Sequence, residues 1–183
     1  MDAADVAKRH FPCKEKSKGS ATSPRGSSVA LGVAVALQIR SAELGDSAAV
    51  AAILNELGYP SDERAAALRI EQASGCTGRG ALVAVEADAI LGLIAYEDMY
   101  YLPSHATICR ITALVVSSTA RRRGLANLLV DAVIEQAFFR DCARIEVTTS
   151  TGRDDARAFY EAAGFEMTSY VYVRDATLQG RDA

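Results

Sequence analysis

A basic, glycine-containing turn between a predicted strand and a predicted helix constrains this chain more than any other stretch. Residues 121–126 read Arg-Arg-Arg-Gly-Leu-Ala and follow an extended apolar run over 108–116. Leu125, Leu129 and Val133 recur at helical spacing, which predicts a helix over 125–139. No Ser, Thr, Asp or Asn stands directly before this helix to cap it, so its first N–H groups are available to a ligand.

The turn combines three features that favour an anion. Gly124 permits close approach to the backbone, and a helix N terminus is the positive end of the helix dipole. The charge is supplied by Arg121, Arg122 and Arg123. Together these features suit a phosphorylated ligand. Taken alone, the hexapeptide also fits a solvated arginine-rich turn.

A second pattern follows about thirty residues later. A strand is predicted over 143–149, and a short helix begins at Asp154 and contains Phe-Tyr-Glu at 159–161. Gly164 closes this helix and is followed by Phe165, as expected for a glycine C-cap.

The order of strand, basic glycine turn, helix, strand and Phe-Tyr-Glu helix resembles the GNAT family of N-acetyltransferases. The resemblance covers residues 39–173 and is strongest over 111–116 and 153–160. It implies an α/β fold with one central mixed sheet flanked by helices, in which two parallel strands splay apart. It also implies an acetyl-CoA-dependent enzyme that moves the acetyl group directly to a primary amine of a small molecule or peptide.

The resemblance also assigns the acetyl-CoA site. The loop and the N terminus of the following helix hold the pyrophosphate, and the preceding strand pairs with the pantetheine arm and polarises the acetyl carbonyl. The implied residues are Leu114, Val115, Val116, Arg121, Arg122, Arg123, Gly124, Leu125 and Ala126. The loop departs from the commonest family pattern at Arg122, where glycine is frequent. Arg153 also stands near a position where many members carry Asn.

Tyr160 is the candidate general acid. A phenol with a pKa of about 10 keeps its proton at neutral pH and can donate it to a departing thiolate. The resemblance places the family's catalytic tyrosine here. The alternative is that Tyr160, beside Phe159 on an amphipathic helix, is only a core residue.

The acceptor site is predicted at the end of the third strand. The candidate substrate-binding residues are Glu97, Asp98, Tyr100 and His105, and the mixture of carboxylates and aromatic rings over 96–101 favours a cationic amine. The same residues also fit the polar end of a hairpin or the interface of a homodimer. Candidates for the general base are Glu97, Asp98, His105 and Glu146, and a water chain would leave no signature in the sequence.

Composition limits the other classes of function. Half of the 183 residues are apolar, which is enough for one core, and the net charge is -3. Residues 39–183 carry fourteen Lys and Arg against twenty Asp and Glu, so neither a nucleic-acid surface nor a nucleic-acid partner is expected. The scattered cysteines and two histidines predict no metal site and fit a reducing cytoplasm.

The N-terminal region differs in composition from the rest. Residues 1–36 are predicted to be a disordered or loosely packed tail, and 37–183 to form the acetyltransferase domain. The apolar run 29–37 is too short to span a membrane, so no membrane association is expected. A signal peptide and a vector-derived or mis-assigned start remain alternatives for this region.

The rest of the chain predicts a simple order of elements. Strand 38–42 precedes a helix capped by Asp46 and closed by Gly58, and a second helix runs from residue 61 or 62 to 74. Strands over 81–86 and 90–99 form a hairpin, and a third strand covers 106–116. The last strand is predicted over 165–174.

Three other functions are alternatives to the acetyltransferase. An acyl-CoA-binding sensor or pseudoenzyme would keep the cofactor loop without turnover. Transfer of a longer acyl chain, or transfer to oxygen, is compatible with the same loop. A dinucleotide oxidoreductase is disfavoured because no Gly-x-Gly-x-x-Gly follows the first strand.

Overall fold

A five-stranded mixed sheet organises the protein in a computed structural model, which describes residues 36–174. The strands lie across the sheet in chain order: β1 (Gln38–Ser41), β2 (Arg79–Glu86), β3 (Ala89–Tyr101), β4 (Ala106–Val116) and β5 (Ile145–Val147). Neighbours from β1 to β4 are antiparallel, whereas β5 is parallel to β4. The predicted α/β class and the mixed sheet are confirmed.

Four α-helices accompany the sheet: α1 (Ser47–Leu57), α2 (Glu63–Ser74), α3 (Leu125–Phe139) and α4 (Asp154–Ala162). The helix α3 connects the parallel strands β4 and β5, as such a connection requires. The predicted tail up to residue 35, and the part of the predicted domain after residue 174, lie outside the described residues.

The hairpin between β2 and β3 is confirmed and has an unusual turn. Ala87 and Asp88 both adopt positive φ, at 50° and 64°. Two such residues give the backbone twist that joins antiparallel strands through a two-residue loop. An Asn-Gly turn would do this with less strain, since Ala at positive φ is disfavoured.

Two separate apolar clusters lie on the two sides of the sheet. On one side, α1 and α2 bury side chains such as Val50 and Ile70 against Val83 and Leu93. On the other side, α3 buries side chains against the same strands, and these include Leu129, Val130 and Val133. Because successive strand residues point to opposite faces, each strand serves both clusters.

Asp46 does not cap α1 with its side chain, contrary to the prediction. Its carboxylate accepts two hydrogen bonds from the Arg40 guanidinium, at 2.7 and 2.9 Å, and one from the Glu43 N–H at 2.8 Å. The hydrogen bonds from Arg40 lower the pKa of Asp46 below its usual value. A charged partner on β1 therefore outcompetes the weaker cap.

The predicted strand over 165–174 is wrong. These residues pair with no strand in the described part of the chain, and Tyr172 is 94% exposed. Alternating apolar residues are present, but a strand also needs a neighbour with which to form hydrogen bonds. The last strand of the sheet, β5, is only three residues long and is shorter than the predicted 143–149.

Candidate active site

The parallel strands β4 and β5 stay together over only three residue pairs. Cys109, Arg110 and Ile111 on β4 lie opposite Ile145, Glu146 and Val147 on β5. The strand β4 then continues to Val116, whereas β5 ends. The side of β4 that faces β5 is therefore unpaired from Thr112 to Val116 within the described residues. This is the splaying expected from the resemblance.

The register of β4 against β3 shows which N–H groups face this gap. The N–H of Ser117 donates to the Leu91 carbonyl at 2.9 Å, on the β3 side. Backbone groups alternate in direction along an antiparallel strand, so the Val115 N–H also faces β3. The N–H groups of Leu114 and Val116 then point into the gap.

The N terminus of α3 lies just beyond the end of β4. Gly124 is the N-cap residue, with φ of 78°, and no side chain caps the helix. The first bond to the helix runs from the Leu128 N–H to the Gly124 carbonyl at 3.2 Å. Among the described residues, the N–H groups of residues 122–127 have no acceptor. The predicted open N terminus is confirmed.

The three arginines of the loop differ in their surroundings. Arg123 donates to Glu86 Oε1 at 2.6 Å, and this bond holds the pKa of Glu86 below its usual value. Arg121 and Arg122 form no ion pair in the part of the chain that the structure describes. Arg122 has φ of 61°, a conformation that explains why glycine suits this position.

The C terminus of α1 anchors the segments around the loop. Glu56 accepts a hydrogen bond from the Ser118 N–H at 2.8 Å, and so fixes the chain as it leaves β4. Arg153 donates to the Leu57 carbonyl at 3.1 Å. The Arg153 guanidinium thus ties α4 to α1.

Tyr160 is half-buried on α4. Its ring packs edge-on against Phe159 and Phe165, with centroid distances of 5.2 and 5.6 Å. Burial raises the pKa of its hydroxyl, which has no hydrogen-bond partner among the described residues. The ring therefore contributes to packing, while the hydroxyl stays protonated and is free to donate a hydrogen bond.

A cavity of about 480 Å³ lies between the sheet and the helices α1 and α2. Its walls include the apolar side chains of Val50, Leu54, Ile70 and Leu93, and its polar lining includes Arg69, Gln72, Arg79, Glu97 and Thr112. Thr112 is the extra residue of a β-bulge, because Ala113 pairs with Ala95 and Ile111 with Tyr96. Thr112 is also the first β4 residue without a partner on β5, so the cavity adjoins the gap.

The structure does not bring the four predicted acceptor residues together. Glu97 lines the cavity. Asp98 points to the opposite face and accepts hydrogen bonds from Arg140 at 2.6 and 3.1 Å. Tyr100 and His105 pack on each other where β3 connects to β4, with a hydrogen bond of 2.7 Å.

Glu146, the remaining base candidate, is fully engaged. Arg110 donates to one of its oxygens at 2.9 Å and Arg144 to the other at 2.7 Å. These bonds, that from Arg110 above all, lower the pKa of Glu146. A carboxylate held in this way is a poor proton acceptor.

Sequence reasoning missed Arg69, Gln72 and Arg79 as cavity residues. They come from α2 and the start of β2, and no motif links them to the cofactor loop. Only the packing of α2 over the sheet brings them beside Glu97.

Neither a metal-binding cluster nor a membrane-spanning helix is found among residues 36–174. No group of three or more His, Cys, Asp or Glu side chains there is arranged to hold a metal ion. No helix within residues 36–174 is long and apolar enough to cross a membrane.

The sequence profile of the Acetyltransferase (GNAT) family matches residues 48–165. This range begins in α1 and ends after α4, and so includes the gap, the arginine loop and Tyr160. The chain therefore belongs to the GNAT acetyltransferase family and is an acyltransferase. Enzymes of this family use acetyl-CoA. No curated protein sequence matches the chain significantly.

Solved structures support the same fold. A transcriptional regulator from Bacillus halodurans C-125 is 23% identical, with a TM-score of 0.70 over 76% of this chain and 99% of its own. Glucosamine-6-phosphate N-acetyltransferase from Arabidopsis thaliana is 18% identical, with a TM-score of 0.67 over 78% and 99%. An aminoglycoside N-acetyltransferase in complex with CoA is 17% identical, with a TM-score of 0.71 over 80% and 99%. At these identities the likeness concerns the fold.

Proposed function

We propose that the protein transfers the acetyl group of acetyl-CoA directly to a primary amine of a small molecule. The observation that carries this proposal is the gap between β4 and β5, which opens at Thr112 and leads to the uncapped N terminus of α3. The gap offers unpaired backbone donors along its length, and the cavity on the α1 and α2 side meets it at Thr112.

In this proposal the pyrophosphate of acetyl-CoA binds to the N–H groups of residues 122–126. Gly124 suits this role, because there is open space where a Cβ would stand and its φ of +78° disfavours any side chain. Arg121 and Arg122 supply charge, whereas Arg123 is already paired with Glu86. The contribution of Leu125 and Ala126 comes from their N–H groups at the positive end of the helix.

Leu114 and Val116 have N–H groups directed into the gap, so we assign them to the pantetheine arm. The Leu114 N–H is the donor nearest to Thr112 and the cavity along β4, and it polarises the acetyl carbonyl there. Val115 pairs with Leu93 on β3. Its contribution is limited to side-chain packing, although the resemblance counts Val115 among the residues of the acetyl-CoA site.

Acetyl-CoA supplies a reactive thioester carbonyl when bound. The amine nitrogen forms the new C–N bond as the C–S bond breaks, and the amine releases one proton to solvent water. Tyr160 donates its hydroxyl proton to the departing thiolate and regains one from solvent. Its raised pKa keeps this proton in place at neutral pH.

The cavity favours a small molecule over a peptide. Its volume of about 480 Å³ lies within the range of about 300–1,000 Å³ that is typical of small-molecule sites.

The free thiols of Cys76, Cys109 and Cys142 support our placement of the reaction in a reducing cytoplasm.

The test is the affinity for acetyl-CoA of a Gly124→Val variant, measured by calorimetry. A β-branched residue at this φ blocks the backbone approach, so affinity should fall by more than about tenfold. Gly164→Val is the matched control, because Gly164 also has positive φ and open space where a Cβ would stand, but lies at the end of α4. Equal affinities of the wild type and the Gly124 variant would refute the binding of the pyrophosphate to the N–H groups of residues 122–126.

Turnover is tested separately by measuring free thiol released from acetyl-CoA in the presence of primary amines. Thiol release that requires the amine supports an acetyltransferase. Tight binding of acetyl-CoA without amine-dependent release would instead identify an acyl-CoA sensor.

A further inference from the structure

The charged side chains of the cavity come from two different parts of the fold. Arg79 stands at the start of β2 and Glu97 lies opposite it on β3, with 3.8 Å between Arg79 Nε and Glu97 Oε2. Arg69 approaches from α2. The described lining of the cavity thus contains two guanidinium groups and one carboxylate.

A row of alternating charges crosses the sheet at this level. Glu97 lies opposite Arg110 on β4, and Arg110 lies opposite Glu146 on β5. The outer pair of the row is closed, because Arg110 Nη2 donates to Glu146 Oε2 at 2.9 Å. Glu146 therefore does not offset the positive charge of the cavity.

Arg79 and Glu97 are more loosely paired than Arg110 and Glu146. At 3.8 Å the two groups form no hydrogen bond, and their side chains are 48% and 45% exposed. A guanidinium and a carboxylate in this state both keep hydrogen-bonding capacity. They are able to bind a ligand that carries the two complementary charges.

Arg69 adds a second cation on the helical side. Its Nη1 donates to Ser61 Oγ at 2.6 Å, which leaves the other N–H groups of the guanidinium without a partner among the described residues. Gln72 follows one turn later on α2 and also lines the cavity. Helix and sheet therefore present donors to the same space.

We propose that the acceptor amine also carries an anionic group, a carboxylate or a phosphate. Arg79 and Arg69 bind this anion, and Glu97 faces the ammonium form of the amine. The inference rests on the proposed function, since it names the acceptor class for that reaction. It replaces the cationic acceptor expected from residues 96–101, because Asp98 serves the other face and the two arginines outnumber Glu97.

The experiment compares paired acceptors with and without the anion, and kcat/KM is referred to the concentration of unprotonated amine, because the anion also changes the pKa of the amine. One pair is an α-amino acid and its amide, and the other is an amino sugar phosphate and the free amino sugar. For the wild type, kcat/KM should be about tenfold higher for the anionic member of one pair, since Arg79 and Arg69 each add a partly exposed charge contact worth about threefold. A preference within the amino acid pair would indicate a carboxylate, and a preference within the amino sugar pair would indicate a phosphate.

Substitutions of the two arginines test whether they cause the preference for the anionic acceptor. Arg79→Gln and Arg69→Gln should each reduce the ratio of kcat/KM between anionic and neutral acceptors, with acetyl-CoA affinity unchanged. Arg64→Gln is the control, because Arg64 is an exposed residue of α2 that does not line the cavity. Two arginine variants are included so that misfolding of one leaves the test intact.

The outcomes separate the two levels of the proposal. Failure of the wild type to bind acetyl-CoA would overturn the proposed function. If acetyl-CoA binds, the acceptor inference is overturned by equal rates within both pairs, by a preference for polyamines, or by no acetylation of any member. It is also overturned if the ratio persists in both the Arg79 and Arg69 variants.

Discussion

Glu97 and Asp98 are consecutive carboxylates on β3, yet they lie in opposite environments. The Asp98 side chain is 10% exposed and receives two hydrogen bonds from Arg140 on the α3 side. Glu97 is 45% exposed on the α1 and α2 side, and Arg79 stays 3.8 Å away. Successive side chains of a strand point to opposite faces of the sheet. Asp98 therefore forms a stabilising ion pair, whereas Glu97 stays available to a ligand.

The same difference distinguishes the two sides of the sheet at this level. On the α3 side, the Arg140 guanidinium also lies over the Tyr96 ring, 4.7 Å from its centroid, and Tyr96 donates to Gln136. Burial there raises the pKa of Cys109 to about 12, so its thiol stays protonated. The α1 and α2 side instead contains the cavity.

Loss of the Asp98 carboxylate should destabilise the protein far more than loss of the Glu97 carboxylate. Asp98→Asn leaves the Arg140 guanidinium without its carboxylate, and should lower the free energy of unfolding by about 3 kcal/mol. Glu97→Gln, the matched change on the open side, should lower it by less than about 0.5 kcal/mol. Urea unfolding of both variants measures the difference, and equal losses would show that the two faces are equivalent.

Tyr160→Phe is expected to affect chemistry alone. The variant keeps the ring that packs on Phe159 and Phe165 and removes only the hydroxyl, so kcat should fall by about 10²-fold with little change in melting temperature. Tyr59→Phe, at an exposed tyrosine, serves as the control. Retained activity together with a lower melting temperature would support a packing role only.

Asp46 provides a pH-dependent test of a closed ion pair. Arg40 lowers its pKa in the folded state, so the pair stabilises the protein above the ordinary aspartate pKa of about 4. This contribution, about 1 kcal/mol, is lost as the pH falls through the lower pKa of the folded state. Asp46→Asn should remove that part of the acid dependence of unfolding. An unchanged dependence would mean that Asp46 is not a source of it.

Arg121 and Arg123 are expected to differ slightly in how much each contributes to acetyl-CoA binding. Arg121→Gln should weaken acetyl-CoA binding about threefold, as for an exposed charge that contacts phosphate. Arg123→Gln should weaken it less, because Glu86 already neutralises Arg123. Calorimetry at low and high salt measures both variants. A larger loss at Arg123 would show that its bond to Glu86 breaks when the ligand binds.

Much of the fold was predictable because local signals agreed with the final packing. The period of Leu125, Leu129 and Val133 gave the bounds of α3, and the apolar run gave those of β4. The strand over 165–174 was not, since alternation alone does not provide a pairing partner.

The candidate site was predictable only where backbone geometry defines it. The uncapped helix at Gly124 leaves a sequence signal, because a capping residue is missing. The placement of Arg79, Arg69 and Glu97 around one cavity depends on how α2 packs over the sheet, which no local pattern encodes. The opposite environments of Glu97 and Asp98 required the orientation of β3 as well as its extent.

Amide hydrogen exchange on β4, measured by NMR with and without acetyl-CoA, tests whether acetyl-CoA binds between β4 and β5. If acetyl-CoA lies in the gap between β4 and β5, the N–H groups of Leu114 and Val116 should exchange more slowly when it binds. The Val115 N–H, which already faces β3, should change much less. Unchanged exchange at Leu114 and Val116, under conditions where calorimetry shows saturation, would contradict the account.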